Sequence, residues 1–104
     1  MGSLTARLVR FTPRAQRQVE QAHDWWQAHR PAAQGAIRES LSAAIELLRD
    51  QPGIGVPAKD PALPGVRRLT LSKVRYYLYY RERGDGIEVL AFWHTSRGQS
   101  PQIG

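Results

Sequence analysis

Residues 74–83 read VRYYLYYRER and hold all four tyrosines of the chain and three of its arginines. Guanidinium groups present planar forks that match phosphates and carboxylates, and they stack on aromatic rings. Counted in twos, Arg75, Tyr77, Tyr79 and Arg81 share one face of a strand, and Val74, Tyr76, Leu78 and Tyr80 share the other. The first face would grip an anionic or aromatic partner, and the second would pack. Cleaving a phosphodiester needs more: a base for the attacking hydroxyl, an acid for the leaving oxygen, and positive charge around the phosphate. His94, with an ordinary pKa of ~6.5, can serve as base or acid. Tyr79 or Tyr80 would have to be lowered from ~10 by neighbouring arginines. One proton-transfer group is not a pair, so binding is the chemistry these residues support best. The sequence contains no glycine-rich phosphate cradle, no nucleophile elbow and no paired catalytic carboxylates. His23 and His29 lie six positions apart, which is not a one-face ligand spacing, so no metal and no cofactor are assigned.

Charge points the same way. Fifteen basic residues stand against nine acidic ones for a net +6, and every basic residue except Lys59 and Lys73 is arginine. Between residues 62 and 81, Arg67, Arg68, Lys73, Arg75 and Arg81 occur without a single acid. An anionic partner follows, either nucleic acid or an acidic protein segment. The absence of cysteine excludes disulfides and thiolate zinc sites. No apolar run approaches the ~20 residues of a membrane span, and Met1–Arg10 has no signal-peptide pattern. A cytoplasmic protein with no membrane partner, folded as one domain over residues 1–104, is expected.

These residues need elements to position them. ARLVRFTP reads as a short strand ended by Pro13, with Thr12 placed to cap a helix whose first residue is that proline. Ala15, Val19, Ala22 and Trp26 then recur at helical spacing as far as His29, and Pro31 ends the segment. Trp26 is expected in the core and Trp25 partly exposed. A second helix carries Ala33, Ile37, Leu41, Ala44, Ile45 and Leu48 on one stripe until Asp50, and the short link makes the two an antiparallel hairpin. Residues 52–65, with four prolines and three glycines, read as a long surface loop. VRRLTLS and VRYYLYYR alternate as strands, ERGDGIE supplies a hairpin turn, and IEVLAFWH reads as an interior strand apolar on both faces apart from Glu88 and His94. The expected fold is α+β: an N-terminal strand, then a two-helix hairpin packed on one face of a mainly antiparallel sheet completed by a three-strand meander.

In that order of elements the chain resembles the RelE/ParE family of type II toxins. The resemblance covers nearly the whole sequence and is carried chiefly by VRRLTLSKVRYYLYYRERGDGIEVLAFWHTSRG at residues 66–98. Within it stand a Tyr-Arg pair (Tyr80, Arg81), a Gly-Asp hairpin (Gly84, Asp85) and a last strand running into His94 and Arg97. The resemblance implies a growth-inhibiting toxin neutralised by a cognate antitoxin. Two targets occur: ParE-like members poison DNA gyrase, and RelE-like members cut messenger RNA on the ribosome. RelE-like sites lean on several lysines where this chain has two, Tyr77 stands where the family pattern has an arginine, and HTSRG is closer to the ParE-like side. The expectation is therefore a gyrase poison without chemistry of its own, binding its target through Arg67, Arg68, Lys73, Arg75, Tyr77, Tyr79, Arg81, His94 and Arg97. As a ribosome-dependent RNase it would use His94, Arg75, Arg81 and Tyr80, and a non-toxic basic nucleic-acid-binding module is the third reading. Val9, Trp25, Leu69 and Tyr77 are the candidate contacts for an acidic amphipathic antitoxin segment.

Overall fold

The computed structural model describes residues 7–59, 63–101 and 103. Strand β1 (Val9–Phe11) leads into helix α1 (Pro13–His29), a one-turn 3-10 helix (Pro31–Ala33) and helix α2 (Ala36–Asp50). Strands β2 (Val56–Pro57), β3 (Arg67–Leu71), β4 (Tyr76–Arg83) and β5 (Gly86–His94) follow. The five strands lie in the order β1-β5-β4-β3-β2, antiparallel throughout except that β1 runs parallel to β5. The architecture is the expected one, two helices on a mostly antiparallel sheet.

The local signals explain the helices. The Thr12 hydroxyl accepts the Ala15 amide at 3.1 Å, and Pro13 takes the first helical position. Ala15 and Ala22 are fully buried, and side chains this small let α1 lie close against the sheet. Phe92 of β5 donates its amide to Gln18 Oε1 at 2.8 Å, so a helix side chain satisfies a backbone group beyond the reach of β1. Helix α2 starts later than the apolar stripe implies, because Pro31 sets up a 3-10 turn that takes in Ala33, leaving that residue exposed. Ile37, Leu41, Ala44 and Leu48 are buried as their spacing requires.

The sheet differs from expectation in three places. Residues 52–65 are not structureless: Val56 and Pro57 pair with Arg68 and Arg67 as an edge strand, where Pro57 costs little. Residues 60–62 of that loop lie outside the described residues. Strand β4 begins at Tyr76 rather than Val74, because Ser72–Arg75 form the turn from β3 and Arg75 takes a left-handed φ of 64°. Third, β4 and β5 slip register between Tyr79 and Tyr80: Tyr79 faces Ala91 and Tyr80 faces Val89, leaving Leu90 as the extra residue of a bulge. At the other hairpin, Gly84 carries φ 62° and no positive φ falls on Asp85, the pattern of a type II′ turn.

Two apolar clusters result. Leu71, Val74, Leu78, Tyr80, Ile87, Val89 and Phe92 meet the helices. On the opposite face Val66, Tyr79, Leu90, Ala91 and Ile103 form a smaller cluster, flanked by Ala58, Leu63, Tyr77 and Trp93. Strand β5 is thus covered on both sides, and Ile103 roofs part of the face away from the helices.

Candidate partner-binding face

Directly opposed residues on neighbouring strands point the same way. Arg68 opposes Tyr79, Thr70 opposes Tyr77, and Tyr77 opposes Trp93, so these side chains share the outer face. Arg67, Leu69, Tyr76, Leu78, Tyr80 and His94 turn toward the helices.

The outer face is organised by two arginine stacks. The Arg68 guanidinium carbon lies 4.2 Å from the centre of the Tyr77 ring, and that of Arg97 lies 3.9 Å from the Trp93 ring. Trp93 is fixed in turn by donating its indole N–H to the Gln99 carbonyl at 2.8 Å. Tyr77 meets Tyr79 edge to face at 6.2 Å. Among the described residues, ion pairs join Arg49, Arg81 and Arg83 to carboxylates, and neither Arg68 nor Arg97 takes part in one. Arg68 Nε is buried without a hydrogen-bond partner, so aromatic stacking holds this guanidinium where hydrogen bonds do not. Among the described residues no carboxylate answers either charge.

Several expected site residues stand elsewhere. Tyr79 is only 5% exposed, beneath the smaller apolar cluster, and is not offered to a partner. Arg75 does not lie on the strand face with Tyr77 but is exposed in the β3–β4 turn, at the same end of the sheet. Lys73, also exposed, precedes it in that turn. Arg81 does share the outer face, but its Nε donates to Glu88 Oε1 at 2.9 Å, and Arg83 reaches the same oxygen at 3.6 Å. That carboxylate answers much of the local charge. Arg67 projects to the helix side and donates to the Gly55 carbonyl at 2.8 Å.

The proton-transfer candidates are occupied by structure. His94 Nδ1 accepts the Ser96 amide at 3.1 Å and lies 2.7 Å from the Ser96 hydroxyl. A backbone amide can only donate, so the ring proton sits on Nε2. The imidazole meets the edge of Tyr76 at 5.0 Å, on the helix side of the sheet. Tyr80 is fully buried; its hydroxyl donates to the Pro52 carbonyl at 2.8 Å and accepts the Gly55 amide at 2.9 Å. Burial pushes its phenol above the ordinary value, outweighing the Gly55 hydrogen bond and the Arg67 charge, and burial likewise raises Tyr76 against the pull of Arg97. Neither phenol is tuned to give up a proton near neutrality. Tyr80 is a latch that ties the β2 segment to β4.

Of the candidate antitoxin contacts, Val9 and Leu69 pack partly into the main core. Trp25 is half-exposed on α1, its ring stacked on His29 at 4.4 Å. Tyr77 is on the opposite face of the molecule. These four do not form one patch. Between α1 and α2 runs a cleft of about 530 Å³ lined by apolar Phe11, Val19, Ile37 and Leu41 and by polar Glu20 and Asp24. Trp93, the second stacking ring, was not singled out by sequence reasoning.

A helical hairpin on a sheet whose far face bears arginines stacked on aromatic rings defines a small basic binding domain. Residues 9–98 match the family described as the ParE toxin of the type II toxin-antitoxin system parDE, and the chain belongs to that family. No curated protein matches it. Among solved structures the chain is similar to one from the chromosomal ParDE toxin-antitoxin system of P. aeruginosa, with a TM-score of 0.71 and 18% identity. The match covers 88% of this chain and 98% of the other, and at that identity it speaks for the fold.

Proposed function

We propose that this toxin inhibits growth by binding and poisoning DNA gyrase, without chemistry of its own, and that a cognate antitoxin encoded beside it neutralises it in the cytoplasm. The observation that carries the reading is the separation of cations from proton-transfer groups. Arg68 and Arg97 stand on the outer face, whereas His94 and Tyr80 project to the helix side and are held there by structural hydrogen bonds. An RNase of the RelE kind needs these groups to converge on one phosphate. A binding surface needs only the cations and rings.

The α1–α2 cleft supports the antitoxin half of the proposal. Its apolar floor fits the helix-in-groove mode, and because Glu20 and Asp24 line the cleft, a segment that is acidic overall would turn its charge away from that edge toward the rest of a chain of net charge +6. The whole reading is tested with one refolded sample in two assays, gyrase supercoiling of plasmid DNA and messenger RNA cleavage on programmed ribosomes. Blocked supercoiling with intact RNA is the expected result. Cut RNA with normal supercoiling overturns it and returns His94 to the centre of the site.

A further inference from the structure

The outer face holds two guanidiniums stacked on aromatic rings and, among the described residues, paired with no carboxylate, and the gyrase reading by itself does not say what they touch. An interface with protein is normally centred on apolar or aromatic anchors, with charge at its rim. Among the described residues the exposed large apolar ones are Leu8, Trp25, Ile54 and Val56, and of these Val56 lies on the edge strand opposite Arg68. Tyr77 and Trp93 are themselves partly covered by the arginines that stack on them. Arg97 is exposed and Arg68 half-buried with its Nε covered, and the exposed Arg75 and Lys73 stand at the same end of the sheet as Trp93. Arg68 on β3 and Trp93 on β5 are two strand spacings apart, about 10 Å, with β4 between them. A polymer with one negative charge per repeat satisfies such a row with a single ligand, and polar, strongly positive surfaces are the mark of nucleic-acid interfaces.

We propose that the outer sheet face, through Arg68 stacked on Tyr77 and Arg97 stacked on Trp93, binds the phosphates of a single DNA strand. The toxin reading supplies only the setting, a target enzyme that works on DNA; the binding itself requires no gyrase. Stacking turns each guanidinium into a preorganised anion receptor, since its plane is fixed by the ring and its donors are not claimed by a carboxylate. The covered part of the face under Ile103 and Leu63 bounds the site on one side.

The test is fluorescence anisotropy of a labelled mixed-sequence DNA oligonucleotide titrated with the full chain across a range of salt. Because any protein of this charge retains anions at low salt, the comparison is between charge-matched pairs. Arg68→Ala with Arg97→Ala should weaken binding about tenfold or more and shallow the log-log salt slope by about 1.4, that is about 0.7 for each phosphate released. Arg17→Ala with Arg38→Ala removes the same charge from the exposed helices and should leave affinity close to that of the parent chain. Arg68→Lys with Arg97→Lys keeps every charge but loses the planar stack, and should fall between the two. Circular dichroism of each variant confirms that it is folded. Equal losses from the two alanine pairs would reduce the effect to net charge and overturn the site. A tenfold preference for the RNA oligonucleotide of the same sequence would assign the face to RNA and overturn the proposal, as would displacement of the DNA by low concentrations of an acidic peptide. Supercoiling assays on the same variants separate this outcome from that of the gyrase reading: a chain that binds DNA but spares gyrase sinks the target and leaves the face.

Discussion

Replacing Tyr80 with phenylalanine removes one oxygen from a fully buried ring and breaks two hydrogen bonds, one from the Gly55 amide at 2.9 Å and one to the Pro52 carbonyl at 2.8 Å. Each such bond contributes about 1 kcal/mol net, and a buried partner left unsatisfied costs about 1–3 kcal/mol. With Gly55 buried and Pro52 half-buried, the loss should total about 2–4 kcal/mol. For a chain of this length that lowers Tm by roughly 10–20 °C. Gly55 offers an independent handle on the same latch. A Cβ there would meet the Tyr80 hydroxyl at 2.7 Å, the ring beside it at 2.9 Å and the Arg68 carbonyl at 3.0 Å. Gly55→Ala should therefore destabilise the parent by about 1–3 kcal/mol. In the phenylalanine background its nearest clash is gone, so the same substitution should cost about 1 kcal/mol less. Urea titration of the four proteins closes the cycle, with the slope of each transition expected to stay unchanged. If Gly55→Ala costs the same in both backgrounds, or if Tyr80→Phe falls within about 0.5 kcal/mol of the parent, the latch reasoning is refuted.

His94→Ala should leave growth inhibition largely intact in a folded protein, read as colony formation after induction; complete loss would count against a toxin without chemistry. Arg75→Gly relieves a left-handed residue by about 1 kcal/mol, roughly cancelling the freer unfolded chain of glycine, so Tm should barely move while gyrase inhibition weakens. A large fall in Tm would show that the side chain holds the turn. Gln18→Ala strands the Phe92 amide and should cost about 1–3 kcal/mol in urea, with hydrogen exchange at Phe92 accelerated most. Tyr76 and Tyr80 have folded pKa values raised above 10.0, so their contribution to stability is fully present below pH ~10 and is lost as the pH climbs from there through the folded values. Stability measured across that alkaline window should decline less steeply in Tyr80→Phe than in the parent.

Much of the scaffold is legible because its signals are local. Thr12 followed by Pro13 can cap and open a helix without help from the rest of the chain, and Gly84 can turn a hairpin on its own. The alternation of β3 and β4 reports directly which side of each strand is apolar. What escaped depends on groups distant in sequence. Val56 and Pro57 carry no strand pattern, and they become a strand because the Tyr80 hydroxyl holds the preceding backbone beside β3. Arg75 looks like a strand residue by period, yet the Leu71 carbonyl takes its amide at 2.8 Å and closes a turn there. The burial of Tyr79 follows from Ile103, more than twenty residues away, folding back over it. The cations themselves were visible from composition. Their pairing with particular rings was not, since Arg97 lies beyond the last strand and reaches Trp93 only after the chain bends.

The bulge at Leu90 sets the phase of everything after it. Counted in twos from Ile87 with Leu90 in the ladder, His94 would fall on the outer face beside the arginines and Trp93 would point into the main core. The inserted residue transposes them, so that an indole meets Arg97 and the imidazole is turned away. The difference between a face with an aromatic platform and a face with a proton-transfer group is therefore whether Leu90 bulges out of the ladder or takes a place in it. Deleting Leu90 would not exchange them: Ala91 would follow Val89 directly, Tyr79 would still face Ala91 and Tyr77 would still face Trp93, so the aromatic platform outlives the bulge that set it.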